Sequence, residues 1–177
     1  MNELNLLTDK PTLFVINIDE NDVNNNKSHL LSELENYLTN RNENYLSICS
    51  ALEQEISSLN DDEQIEYLKE FNLTEPVLNQ LIRTAYKMLS LQTFFTAGPK
   101  EIRAWTIKIN DTAYDAAGKI HTDFQKGFIK AEIYHFEDLI KHKNELIVKE
   151  SGLIRQEGKE YIVKDGDMIL FKFNVTN

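Results

Sequence analysis

Apolar residues recur along this chain at two different periods, and the change falls near its midpoint. Leu13 to Ile18 is a short apolar run entered through Pro11, and its β-branched content predicts a buried strand. The Asn- and Asp-rich stretch from Asp19 to Asn26 predicts a loop. Leu30, Leu31, Leu34, Tyr37 and Leu38 then share one face of a helix, with Ser28 placed to cap it. Tyr45 to Cys49 is a second short apolar segment. Strand, helix and strand in about 40 residues have the size of a βαβ unit, which needs further strands and a covered second face.

Residues 52–90 predict helices. Asp61 and Asp62 are placed to cap a short one carrying Ile65, Leu68 and Phe71. Thr74-Glu75-Pro76 predicts another helix start with proline inside the first turn, and Leu78, Leu81, Ile82, Ala85, Tyr86 and Leu89 keep its period. After Leu91 the pattern turns to strands. Leu91 to Ala97 is one, closed by Gly98-Pro99, and Arg103 to Ile109 is the next, with Asn110-Asp111 as its turn. Thr112 to Gly127 predicts a helical turn or two, Phe128 to Tyr134 a strand, and Phe136 to Lys149 a segment helical at first and then irregular. Tyr161 to Val163 and the alternating Ile169, Phe171, Phe173 and Val175 flank an Asp165-Gly166 turn, which predicts a hairpin. Residues 92–176 thus predict a compact mixed α+β domain.

Charge sharpens this division. The chain carries a formal charge of −10 over 177 residues, but residues 1–90 hold 6 Lys and Arg against 16 Asp and Glu, while residues 91–177 hold 13 of each. The first half is therefore a poor partner for a nucleic-acid backbone, and the second has cations enough for a local basic face. No stretch reaches the roughly 18 apolar residues of a membrane span. Met1 to Lys10 lacks the basic-then-apolar layout of a signal peptide. A lone cysteine, Cys49, excludes an intrachain disulfide framework and a cysteine-cluster metal site. These features predict a cytoplasmic protein with no membrane or DNA partner.

Common catalytic constellations are absent from the sequence. No phosphate-cradling G-x-x-x-x-G-K-[ST] loop occurs, and Ala97-Gly98-Pro99-Lys100 has a proline where a donor N–H is wanted. His29, His121, His135 and His142 form no metal-binding helical pair, and His121-Thr122-Asp123 reads as structural before catalytic. Cys49 reads as a small apolar strand residue. Glu137 and Asp138 are neighbours on a helix that do not face one another, as on a solvated face.

Two patterns carry more. The run Phe14 to Glu20 delivers Asn17 and Glu20 to the carboxyl end of a strand, where open α/β folds bind ligands. A carboxylate there can accept from an amino or ring N–H of a base, while the asparagine braces neighbouring loops; a plain polar strand end is the alternative. From Arg103 to Lys130, the cations Arg103, Lys108, Lys119, Lys126 and Lys130 interleave with Trp105, Phe124 and Phe128. Cations with aromatics suit RNA through phosphates and stacked bases. Alternatively, the aromatics are core and the lysines solvate it.

Longer blocks carry a resemblance. Leu-Leu-Thr-Asp-Lys-Pro (6–11), Asn-Ile-Asp-Glu (17–20), Glu-Pro-Val-Leu-Asn (75–79), Leu-Gln-Thr-Phe-Phe-Thr-Ala-Gly (91–98), Lys-Glu-Ile-Arg-Ala-Trp-Thr-Ile (100–107), Ala-Gly-Lys-Ile-His-Thr-Asp-Phe-Gln-Lys-Gly-Phe-Ile (117–129) and Glu-Tyr-Ile-Val-Lys-Asp-Gly-Asp (160–167) resemble the C-terminal half of the YchF-type, Obg-like ribosome-associated P-loop ATPases. The resemblance implies an α/β end of a P-loop nucleotide-binding domain over 1–52, a helical connector over 53–91, and an α+β, β-grasp (ubiquitin-like) TGS domain over 92–177. It places Asn17, Ile18 and Glu20 on the base-recognition motif. There the family has Asn-x-x-Glu in place of the Asn-Lys-x-Asp of GTPases, alongside a preference for ATP.

It also places Cys49, Ser50 and Ala51 on the last nucleotide-contacting loop, without the basic residue that GTPases usually carry there. Residues Arg103, Lys119, Lys126 and Lys130 become the candidate RNA or ribosome contacts, with the large subunit or its rRNA as partner. The family's P-loop, magnesium-binding and switch motifs and its coiled-coil domain precede the matching segment and are not in this sequence. ATP with Mg²⁺ is thus the cofactor of the full-length family, and this chain alone is expected to be inactive as a hydrolase. A non-catalytic, stand-alone TGS binding module is the alternative.

Overall fold

The computed structural model describes residues 6, 10–23, 27–98 and 101–174. Asn24 to Asn26 of the expected loop, Pro99 and Lys100, and Val175 lie outside them. The chain divides into two compact units, Met1–Leu89 and Ser90–Asn177.

In the first unit, β1 (Leu13–Asn17) pairs in parallel with β2 (Asn44–Ile48), in a register that sets Asn17 beside Ile48. Between them the expected loop contains one turn of helix, α1 (Glu20–Val23), started by the Asp19 carboxylate accepting from the Asn21 N–H at 3.0 Å. The expected amphipathic helix follows as α2 (His29–Asn40), and the Ser28 hydroxyl accepts from the Leu31 N–H. Its stripe is only half used. Leu31 and Leu38 are buried, while Leu30 is 77% exposed, because a sheet of two strands offers a narrow surface. For the same reason β1 is not the buried strand its sequence predicts: Phe14 and Val15, on opposite faces, are 41% and 48% exposed.

Three helices complete this unit: α3 (Ser50–Ser58), α4 (Asp61–Glu70) and α5 (Val77–Met88). A small core of Cys49, Leu52, Ile56 and Leu68, with Ile18, Tyr67 and Phe71 against it, joins α3 and α4 to the strand ends. The cap of α4 is Asn60 rather than Asp61 or Asp62, in a reciprocal box with Glu63. Pro76 is the residue before α5 and not inside its first turn.

The second unit is a five-stranded mixed sheet in the order β4 (Ile102–Lys108), β3 (Leu91–Ala97), β7 (Asp167–Phe173), β5 (Phe128–His135), β6 (Arg155–Glu157). Only the β3–β7 pair is parallel. One face is covered by α6 (Ala113–Ile120) and α7 (Thr122–Lys126), more helix than the expected turn or two. Ala113, Ala116 and Ala117 are fully buried, which lets α6 lie close on Phe94, Ile107, Ile133 and Ile169. The opposite face carries Tyr134, Met168 and Val148 with Leu139, under α8 (Phe136–His142) and α9 (Glu145–Glu150). Thus the segment expected to become irregular is a second helix, separated from the first at Lys143, which adopts φ +56°.

The expected hairpin at Asp165-Gly166 is not formed. Tyr161 to Val163 make one isolated bridge, from Ile162 to Thr112, and β7 runs instead between β3 and β5. The turn itself is real. Gly166 has φ +83° and packs under the Phe136 and His135 rings. Its N–H donates to the Thr93 carbonyl while the Asp165 carboxylate accepts from the Thr93 N–H, both at 2.8 Å. A side-chain anchor to β3 has taken the place of strand pairing. The fully buried Asp167 fixes the same segment, since its Oδ2 accepts from the Tyr161 hydroxyl and the Lys164 N–H.

Candidate functional site

The two parallel strands end side by side, and the side chains there are tied together. Asn17, the last residue of β1, accepts at Oδ1 from the Ser50 N–H at 3.2 Å and the Ser50 hydroxyl at 2.8 Å. Ser50 opens α3, so one exposed amide joins the end of β1 to the loop after β2. The register demands this meeting, since Asn17 pairs with Ile48 and Ser50 lies two residues on. Glu20 stands exposed in the turn of α1, and Ala51 is exposed at the start of α3.

Ile18 and Cys49 play a different part. Ile18 donates its N–H to the Ile48 carbonyl at 2.9 Å and packs against the core containing Cys49, which is 4% exposed. The thiol serves as a small apolar filler, as its sequence context suggests. Asn17, Glu20, Ser50 and Ala51 therefore offer surface to a ligand, and Ile18 and Cys49 offer a foundation.

A residue that sequence reasoning missed lies one turn further along α3. Glu53 accepts from the Val77 N–H at 2.7 Å and the Leu78 N–H at 3.2 Å, capping α5 from another helix. Pro76 has no side-chain acceptor, and the orphan amides of the first turn take the carboxylate instead. That a proline precedes the helix was the available signal; nothing local pointed to Glu53.

In the second unit the sheet separates the candidate cations. Trp105 and Ile107 of β4 face α6, and the exposed Arg103, two residues earlier, lies over the Trp105 ring at 4.2 Å. Lys119 and Lys126 end α6 and α7 on the same side and are exposed. Lys130 is on the other face of β5, the face of Tyr134, where its ammonium lies 3.7 Å from Glu132, a carboxylate shared with Lys172 at 3.4 Å. Lys108 and Lys119 instead line one open polar cradle with Asp111, Asp115 and Gln125.

The interleaved aromatics belong to the core. Phe128 is buried, and Phe124 stacks on Phe173 at 3.9 Å. Two of the histidines, His121 and His135, and the acid Asp138 are helix caps. His121 accepts at Nδ1 from the Asp123 N–H at 3.2 Å, and the Asp123 carboxylate lies 3.4 Å from the same nitrogen. His135 and Asp138 form a reciprocal cap on α8, with Glu137 beside them in solvent. Among the described residues no group of three His, Cys, Asp or Glu side chains is placed to hold a metal ion. No helix among them is long and apolar enough to cross a membrane.

Known proteins share both sequence and fold. The family model YchF-GTPase_C, described as a protein of unknown function (DUF933), matches residues 91–174. The ribosome-binding ATPase YchF of Escherichia coli O157:H7 is 49% identical over 172 residues, covering 97% of this chain and 47% of its own length. Obg-like ATPase 1 of Xenopus laevis is 43% identical over 176 residues, covering 98% of this chain and 44% of its own. The structure of the Schizosaccharomyces pombe YchF GTPase superposes with a TM-score of 0.85 at 34% identity, over 97% of this chain and 46% of that one. The chain thus spans about half the length of the relatives it matches. Along all but its ends, in residues and in fold alike, the chain is similar to about half the length of these YchF proteins.

Proposed function

We propose that this chain supplies the base-recognition end of the nucleotide site and the ribosome-binding domain of a YchF-type ATPase, acting in the cytoplasm. The observation that carries the first part is the Asn17–Ser50 clamp. It fixes the loop after β2 against the end of β1 and leaves the Glu20 carboxylate exposed beside it, at the strand ends where α/β folds take ligands. A carboxylate there can accept from the exocyclic amino group of adenine, and Asn17-Ile18-Asp19-Glu20 lacks the lysine and the closing aspartate of the guanine-reading Asn-Lys-x-Asp, so ATP is taken as the preferred nucleotide. Residues 1–52 are read as the end of the P-loop domain, 53–91 as a connector and 92–177 as a β-grasp TGS domain. The mixed sheet with α6 and α7 on one face supports the last assignment. None of these roles involves a magnesium ion.

The amide resonances of Ser50 and Glu20 report on the site directly. Titration of the ¹⁵N-labelled chain with AMP and with GMP should shift them with the adenine nucleotide and leave them in place with guanine. Equal shifts with both would refute base reading by Asn17 to Glu20. For the ribosomal role, cosedimentation of the chain with ribosomes should fall steeply between low and high salt, as expected where lysine and arginine displace counterions. A second reading, a non-catalytic binding module, draws on one feature: the sheet of residues 90–177 is covered on both faces by its own helices. Residues 90–177 alone should then cosediment as well as the whole chain.

A further inference from the structure

We propose that Arg103, held over the Trp105 ring on the outer strand of the sheet, is a stacking platform for an unpaired base of single-stranded RNA. This rests on the reading that residues 92–177 bind RNA, and it names the element that would contact a base rather than a phosphate.

The indole is half-buried and flanked by other groups. One of its faces lies toward Phe94, with rings 15° from parallel and centroids 6.4 Å apart, and Arg103 covers it at 4.2 Å. Its Nε1–H donates to the Thr96 hydroxyl at 2.9 Å, so the ring cannot rotate without losing that bond. The indole is thus a fixed base plate, and the guanidinium carbon of the exposed Arg103 lies over it. Arg103 is exposed and makes no ion pair among the described residues, in contrast to Arg83 on Glu75 and Arg155 beside Asp167. A cation fixed by an aromatic ring and left without a counter-charge has a free planar face and a fork of donors. Nucleobases stack on such planes, and the unstacked bases of single-stranded RNA can reach them.

Among the described residues β4 is the outer strand of this sheet, so its far side carries no paired strand beside Arg103. Lys119 and Lys126 on the same face supply phosphate contacts.

Trp105 is the chain's single tryptophan, which makes the site its own reporter. The full chain should be titrated with fluorescein-labelled hexauridylate, reading anisotropy of the label and quenching of Trp105 emission, with inorganic polyphosphate and polyglutamate as comparison ligands. The expected result is quenching by the RNA and not by polyphosphate. Arg103→Lys keeps the charge but loses the plane, and should weaken binding about tenfold. Equal affinity of Arg103→Lys and the unaltered chain overturns the platform, as does quenching by polyphosphate alone. Tighter binding of polyglutamate overturns it in favour of an acidic protein partner. If Lys119→Ala with Lys126→Ala still weakens ribosome cosedimentation while Arg103→Lys does not, the platform fails and the ribosomal reading stands. If neither change has an effect, both fall.

Discussion

A single amide oxygen ties the loop after β2 to the end of β1. Because Asn17 only accepts from Ser50, an aspartate in its place preserves both bonds, while alanine leaves the Ser50 N–H and hydroxyl to water. Asn17→Ala should therefore lower stability by about 1 kcal/mol in urea titration, and Asn17→Asp by much less. An equal loss for the two would show that the clamp contributes nothing. Asp115 gives a pH-dependent case. The Thr112 hydroxyl, and then the Thr112 N–H, hold its carboxyl below the usual carboxylate range. A depressed native value means that the cap stabilises fully above the ordinary carboxylate pKa and loses its contribution as pH falls through the depressed one. Thr112→Val should return the Asp115 titration, followed by carboxyl carbon NMR, part of the way to its ordinary value. No movement would assign the shift to another cause.

At the scale of elements, the α3–α5 link is the least local feature. Without Glu53 the first amides of α5 have no acceptor, so Glu53→Ala should cost about 1 kcal/mol. It should also speed hydrogen exchange at Val77 and Leu78 while leaving α4 protected; unchanged exchange there would remove Glu53 from the account. The sequence shows α2 and its Ser28 cap, β3 and β4, because those signals span two to four residues. Glu53 is 24 residues from Val77, and no period connects them. The Asp165-Gly166 signal was read as a hairpin because turn chemistry is local, while the insertion of β7 between β3 and β5 is settled by long-range burial of Ile169 and Phe171. The site was legible to the same extent. Asn17 and Ser50 stand out singly, but their bond spans 33 residues. Strand alternation could have separated Lys130 from Arg103, had the bulge between Phe128 and Lys130 been visible.

The two units of the molecule differ in how well they satisfy their own surfaces. Residues 90–177 bury a sheet between two helical layers, and they should unfold alone in one cooperative transition. The first unit leaves Phe14, Val15, Leu30 and Tyr37 open on either side of a two-stranded sheet, so urea should unfold it first in the whole chain. A single coincident transition by tryptophan emission, which reports only the second unit, and by circular dichroism would contradict this order. The same asymmetry sorts the cations. Lys119 and Lys126 have no carboxylate within ion-pair distance among the described residues, whereas Lys130 shares Glu132 with Lys172 on the opposite face. If the helical face meets the ribosome, Lys119→Ala and Lys126→Ala should each weaken cosedimentation and flatten its salt dependence. Lys130→Ala should do neither, since it stands on the other face beside Glu132, and all three variants should keep the thermal midpoint because exposed charges contribute little to stability. Should Lys130→Ala weaken cosedimentation more than the other two, the contact lies on the α9 face, where Glu132, Lys149 and Lys172 line an open groove.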